Sequence, residues 1–489
     1  MATLHGTIID AQTNEKIDAK VHVLDPGGNF VHPGGAMLKN GPGTPFFFAP
    51  DGEFTVNTGR GRTDILVERG TEYKPQRVVL EAPASGIVDT EIRIERWVHP
   101  QQNHWYPGNT HIHYDENETR PDDRLGIDCS VEGYNVTVVS ILDRRQLPYA
   151  SNKFPIGVMN DFTTAHHVVD IGEENRHYGE NSPWGMGYGH VMFLNIRNLV
   201  QPVSRGHTLT AQFDPDYPPL CTCCDDAIDQ GGLVIWCHNG RGMEAPVAAA
   251  LGKLDAFNLF DPFWMDPEYD LWYKLLDCGL RLPASTGTDW FVCSNNRVYV
   301  HTEKEFSYES WIDGMKKGRT FITNGPVIDM TVNDAPIGAT LPMDGGGILE
   351  VEATFQSHYP VDAVEIIVDG RVVHRETAAG GGFDSGDAFS GSVRCQAVAE
   401  RDGWVAARLW GHSRDSFNQS LYAHTSPTWF SCGRPSGNRP DSARFFLDSI
   451  DESLKWIDTV GRYNTDDQRE EVRDLFRRGR EVYAELDKN

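Results

Sequence analysis

Two histidines separated by one residue, in Thr110-His111-Ile112-His113-Tyr114-Asp115, are the sharpest local signal in the chain. In an extended strand His111 and His113 project to one face. Two imidazoles on one face can grip one borderline metal ion. The pair is a weak signal alone, because the chain has 18 histidines. Other acidic and histidine residues in similar settings strengthen it. Gly172-Glu173-Glu174 follows the apolar run 168–171, and His190 stands just before the run 191–194. His238 ends the run 233–237, and Asp289 lies in the small-residue turn 285–290. Two His, a Glu, two more His and an Asp, each at a strand edge, supply ligands for two ions. A carboxylate shared between the ions would hold them ~3.5–4 Å apart, and a bridging water would ionise near neutral pH.

Such a set needs a scaffold that brings distant segments to one place. Between residues 99 and 325, apolar β-runs (135–142, 191–195, 233–236) alternate with segments of helical pattern (245–257, 269–278). Most of the polar residues above lie just after the β-runs. That alternation predicts an α/β layer or barrel with its site at the carboxyl ends of the strands. Residues 1–98 read as a seven-strand-like β-sandwich. Within it, Asp51-Gly52 predicts a hairpin between Phe46-Phe47-Phe48 and Phe54-Thr55-Val56. Residues 326–432 read as a second sandwich, with Asp369-Gly370 and Asp402-Gly403 as turns and a Gly-rich loop over 374–391. Residues 433–489 read as a helical hairpin. Phe446, Ile450, Leu454 and Ile457 recur at three-to-four spacing, and Gly461 stands near the stop. Thr465-Asp466-Asp467-Gln468 resembles a capping box that opens the second helix. The apolar stripe of this tail is expected to dock on the body; a contact that makes a homo-oligomer is the competing use. The fold class is therefore multidomain, α/β plus all-β.

The order of the segments resembles the PHP (polymerase and histidinol phosphatase) superfamily of metallohydrolases. Its pattern is an early His-x-His, a Thr-Asp-His, a Gly-x-Glu, a mid-chain His, a later His and a terminal Gly-Ser-Asp-like element. Asn296-Arg297-Val298-Tyr299-Val300 and Gly318-Arg319-Thr320-Phe321-Ile322-Thr323-Asn324-Gly325-Pro326 resemble its CehA/McbA branch, named for carbamate-insecticide hydrolases. The flanking β-modules and helical tail do so too, so the resemblance covers most of the chain. It implies a distorted (β/α)₇-like barrel. It also implies that His111, His113, Glu174 and Asp289 hold one ion, and that His190 and His238 hold a second with Glu174 bridging. Glu173 competes with Glu174 for the bridge, since either register of Gly172-Glu173-Glu174 is open. One or two divalent ions (zinc, manganese or iron) are the implied cofactors.

The Thr-Asp-His element stands here as Leu142-Asp143-Arg144. A guanidinium stays protonated and has no lone pair to donate, so Arg144 cannot ligate a third ion. Arg144 either neutralises an anionic substrate or developing oxyanion, or pairs with a carboxylate. Arg241 lies three residues past His238 and is a second candidate for that charge. Asp289 or Asp143 is the candidate to accept or relay a proton. Arg297 reads as an ion-pair residue of the barrel, and Cys221-x-Cys223-Cys224 as ordinary thiols.

The expected activity is metal-assisted hydrolysis of a small-molecule carbamate, ester or amide. A phosphoesterase, and a non-enzymatic ligand- or carbohydrate-binding scaffold with a structural metal, are the alternatives. Composition narrows the partners. The 489 residues carry 44 Lys+Arg against 70 Asp+Glu, a net charge of −26. That disfavours nucleic acid and anionic membranes, which need a basic face. No Gly-x-Gly-x-x-Gly, P-loop or Gly-x-Ser-x-Gly occurs to suggest a nucleotide enzyme or serine esterase. The first residues lack a signal-peptide pattern, and nine scattered cysteines fit a reducing compartment, so the expected location is cytoplasmic.

Overall fold

The computed structural model describes residues 1–488 except 41–43, 145–146, 207–208, 210–213, 261–267, 379–383 and 386–388. It is a mixed α/β structure made mostly of strands, with a curled, half-barrel sheet and helices at the C-terminus.

The N-terminal β-module has two facing sheets. One orders the strands Glu53–Thr58, Ala2–Asp10 and Gly86–Ile94; the other has five strands around Ala19–Leu24. Alternate residues are buried, as in Phe54, Val56 and Thr58, so one face of each sheet feeds a shared core. The predicted hairpin at Asp51-Gly52 is not formed. Both residues take left-handed backbone angles (φ 56° and 68°), as the turn chemistry demands. The flanking strands, however, pair elsewhere: Pro45–Ala49 with Ala19–Leu24, and Glu53–Thr58 with Ala2–Asp10. The turn carries the chain from one sheet to the other.

The curled sheet is built around Trp105–Ile112. On one side that strand pairs in parallel with Val136–Ile141, which pairs in parallel with Val168–His177. Gly189–Leu194, Leu233–Trp236, Ala256–Asn258 and Ala284–Ser285 follow in order. On the other side it pairs antiparallel with Arg297–His301, and that strand with Thr320–Thr323. The two ends of the curl approach each other where the Thr320 hydroxyl donates to the Ala284 carbonyl at 2.8 Å. Nearly every residue of these strands is buried, because helices cover the outer face. The helical pattern at 245–257 resolves into a short helix, Ala245–Ala250, and the strand Ala256–Asn258. Gly252, at φ 66°, breaks the helix between them.

Hydrogen bonding continues past residue 325, since Thr320–Thr323 also pairs with Ser420–Thr425. That strand belongs to the second β-module, whose separate five-stranded sheet is centred on Gly347–Ser357. Asp369-Gly370 forms the two-residue hairpin turn expected of it, with Val368 facing Arg371. Of the expected loop 374–391, residues 374–377, 384–385 and 389–391 are strand; 379–383 and 386–388 lie outside the described residues.

The tail forms the helices Arg439–Thr459 and Asp466–Lys488. The Thr465 hydroxyl accepts from the Gln468 N–H at 3.2 Å, while the Gln468 side chain accepts from Asn464 N–H rather than from Thr465. Phe446, Ile450, Ile457 and Phe476 are buried in the core of the curled sheet. Full burial of such a side chain contributes about 1.5–3 kcal/mol. Among the described residues, no helix is long and apolar enough to cross a membrane.

Candidate metal centre

All six predicted ligands converge at one end of the curled sheet. His111 is the next-to-last residue of Trp105–Ile112, and His113 lies just beyond that strand. Glu174 projects from Val168–His177, and His190 from the adjoining Gly189–Leu194, opposite Arg176. His238 follows Leu233–Trp236, and Asp289 follows Ala284–Ser285. His238 and Asp289 both hold left-handed backbone angles (φ 55° and 65°), which cost roughly 1–2 kcal/mol each outside glycine. Gly287 lets the Asp289 turn lie against the His111 strand: a Cβ there would sit 2.7 Å from the His111 backbone nitrogen. The turn is fixed by the Thr288 and Asp289 N–H groups donating to the His111 carbonyl at 2.9 and 2.8 Å.

The donors fall into two lobes that share one carboxylate. In the first, His111 Nε2 and His113 Nε2 are 3.0 Å apart. Glu174 Oε2 is 3.1 Å from His113 Nε2, and Asp289 Oδ1 is 3.1 Å from His111 Nε2. In the second, His190 Nδ1 is 2.8 Å from both Glu174 Oε1 and His238 Nε2. Glu174 thus turns one oxygen to each lobe. Glu173 points elsewhere, accepting from Asn175 Nδ2 at 2.6 Å and Val200 N–H at 2.7 Å, so the register question resolves to Glu174.

Imidazole nitrogens facing one another at hydrogen-bond distance need either a proton or a cation between them. The donor set fits a cation. His113 has its Nδ1 3.1 Å from the Ser140 carbonyl, which orients the ring and turns Nε2 to the cluster. Burial pushes His190 down to about 4, outweighing the Glu174 charge, so it offers a lone pair at neutral pH. Burial also acts on His113, but the Asp289 and Glu174 carboxylates overcome it and raise it to about 9, so an ion bound there would displace a proton. Against the same burial, His111 and His238 hold Asp289 down to about 2. Glu174 is held well below its usual range, with Arg176 the strongest opposing charge to its burial. Four nitrogens and two ionised carboxylates suit a borderline divalent ion.

The candidate arginines sit differently from expectation. Arg144 is exposed and reaches Tyr149, whose ring centroid is 5.8 Å from that of His113. The Asp143 side chain is exposed; its carbonyl accepts from Arg176 Nη2 at 2.8 Å. Arg241 is exposed in the turn after His238, its N–H donating to the His238 carbonyl at 3.0 Å. Arg297 is fully buried, 3.9 Å from Glu132, and donates to the Glu132 carbonyl. The buried guanidinium beside the cluster is Arg176, absent from the sequence-based candidates. Its Nε lies 4.0 Å from Glu174 Oε2, is buried and makes no hydrogen bond. The signal for it was present: Arg176 follows Glu174 by two residues, the spacing that puts both on one face of a strand. Cys221, Cys223 and Cys224 lie buried in the helix Leu220–Asp229.

No protein-family model matches the chain, and no curated protein matches it. Two crystal structures of the shaft pilin SpaA from Lactobacillus rhamnosus GG align at 13% and 14% identity over 20% of this chain, each with a TM-score of 0.15. The chain spans under half of those pilin chains, 46% and 47%. The N-terminal four Ig domains of Dscam1 align at 7% identity over 88% of this chain and 96% of that one, with a TM-score of 0.13. Scores of this size leave the site to be argued from its own residues.

Proposed function

We propose that the protein is a metal-dependent hydrolase of PHP type, its curled sheet a distorted PHP-like barrel, acting on a small-molecule carbamate, ester or amide. The observation that carries this reading is the two-lobed donor set joined by Glu174. His111, His113, Glu174 and Asp289 would hold one divalent ion, and Glu174, His190 and His238 a second. Such ions supply an ionised water near neutral pH and polarise the acceptor oxygen.

The chain's own residues do the rest. Asp289, ionised down to about 2, turns Oδ1 to His111 and lies with Oδ2 3.5 Å from His238 Nδ1. Kept ionised, it would serve as ligand and hydrogen-bond acceptor rather than as a proton donor. Arg176 presents a guanidinium edge to the cluster, where negative charge grows on the acceptor oxygen. Tyr149, Phe291 and Trp290 form an aromatic chain beside His113, with centroid spacings of 5.5 and 5.1 Å.

Arg176, with Arg144 near Tyr149, also favours a second reading, cleavage of an anionic phosphoester. A hydrolysis screen separates the two: aryl carbamates and esters against aryl phosphate mono- and diesters, with and without chelator. Chelator-sensitive turnover of the first group supports the leading reading, and of the second group the alternative. Fewer than about 0.5 equivalents of transition metal in fresh protein, with no activation by added zinc, manganese or iron, overturns both.

A further inference from the structure

The Gly318-to-Pro326 stretch contributes nothing to the metal centre, yet its first residues line a separate concavity of about 360 Å³. Arg281, Lys316, Lys317 and Arg319 all border it, with the Trp429 indole as an apolar wall, and no carboxylate does. This is unusual ground in a chain of net charge −26. The acids that pair with these cations stand outside the lining: Asp313 is 2.7 Å from Lys317, Glu303 is 2.8 Å from Arg319, and Asp255 is 3.9 Å from Lys316. Arg281 has no carboxylate within ion-pair distance among the described residues. It donates to the Thr340 hydroxyl at 2.7 Å and lies over Trp429 at 5.2 Å.

The concavity depends on two glycines. Gly338, at φ 83°, packs its backbone on Gly318; a Cβ there would lie 2.6 Å from the Lys317 carbonyl. Lys316 and Lys317 also suit the C-terminal end of their helix, Tyr308–Lys316. That role accounts for two of the four cations. Arg319 follows two residues on in the same segment, but Arg281 comes from a different one, and the helix gives no reason for it to meet the other three cations around one hollow.

We propose that this concavity is a binding site for a small oxyanion of two or more negative charges, of the phosphate class. Arginine forks match tetrahedral oxyanions, and lysines add point charge. The site is independent of the metal centre and of the activity assigned to it.

Titration calorimetry on the full chain, stripped of metal so that the histidine cluster cannot hold the anion through an ion, tests this with pyrophosphate and inorganic phosphate at fixed ionic strength. Saturable pyrophosphate binding at one equivalent is expected. Arg281→Gln with Lys317→Gln should weaken it at least tenfold, while Arg62→Gln, an exposed arginine of the N-terminal module, should leave it unchanged. Because Arg281 also contacts Trp429 and Thr340, Lys316→Glu with Lys317→Glu serves as a second variant touching only exposed lysines, and should abolish binding. No binding to metal-stripped protein, native affinity in both double variants, or loss only in His111→Ala would each overturn the proposal.

Discussion

Behind the N-terminal module, Glu132 meets Lys20 at 2.7 Å and Arg297 at 3.9 Å, all three buried. Arg124 bridges Asp128 and Glu118 at 2.9 and 3.0 Å, and its guanidinium covers the Tyr114 ring at 3.9 Å. At the candidate metal centre the burial is nearly as complete, but the partners differ: four imidazoles and two carboxylates gather together, with one arginine beside them. In the first region each of these anions has a cation of the chain, and the pairs tie Lys20 of the N-terminal module to Glu132, at the end of the helix Pro121–Glu132, and Lys39 to Glu118, just before it. In the second, imidazoles and carboxylates are grouped closely enough that they could hold an added cation. Charge neutralised from within fastens the fold; charge left for something from outside marks a site.

The strongest way to break that contrast is to remove a ligand. His111→Ala and Asp289→Ala should lose metal by elemental analysis and at least about 10³ of activity, the scale expected when metal activation of water is lost, while circular dichroism stays native. Metal retained in both variants would remove the distinction between the regions. The converse holds for Glu132→Ala. It strands Lys20 and Arg297 and should cost about 3–5 kcal/mol by denaturant unfolding, with metal content unchanged per folded molecule.

Arg176 and Arg297 sharpen the comparison, since both are buried guanidiniums. Arg176→Gln should lower kcat/KM by about 10²–10³, the range for a lost charge-stabilising donor, with kcat falling more than KM rises. Arg297→Gln should lower stability and leave kcat/KM of the folded protein alone. If both variants act only on stability, Arg176 belongs with the fold-fastening charges.

The ligand set was legible because each member closes or opens an apolar run, and strand ends gather at one edge of a curled sheet. Arg176 was legible in principle from its two-residue offset to Glu174, but a charged residue late in a strand usually reads as solvated. Arg144 and Arg241 looked equally suited by chain position, and chain position says nothing about exposure. Asp51-Gly52 shows another boundary: turn chemistry sets the local angles, not which sheet the next strand joins. At 245–257, apolar residues on both sides of Gly252 fit helix and strand periodicity alike, and only the pairing of Phe257 with Ala284 decides.

A third, half-buried acidic group completes the comparison. Asp369, at its hairpin turn, accepts from the Trp404 N–H at 2.9 Å, and its neighbour Asp277 accepts from the Trp404 indole at 2.9 Å. Neither has a buried cation like Lys20 nor histidines like those of the metal centre. Burial, aided by Asp277, raises Asp369 to about 7. Here a proton does the neutralising. The folded state keeps that proton while the unfolded chain, with its ordinary carboxylate near 3.8, releases it. Stability therefore falls as pH rises from about 4 to about 7, and the cost is complete above that. Asp369→Asn keeps the shape, the acceptor and tolerance for the turn's φ of 47°, and removes the titration. Its advantage over the native chain should be near zero at pH 4 and grow to the order of 1–3 kcal/mol by pH 8, read from denaturant curves at both pH values. An advantage of equal size at pH 4 and pH 8 would mean that the gain comes from the turn rather than from the charge.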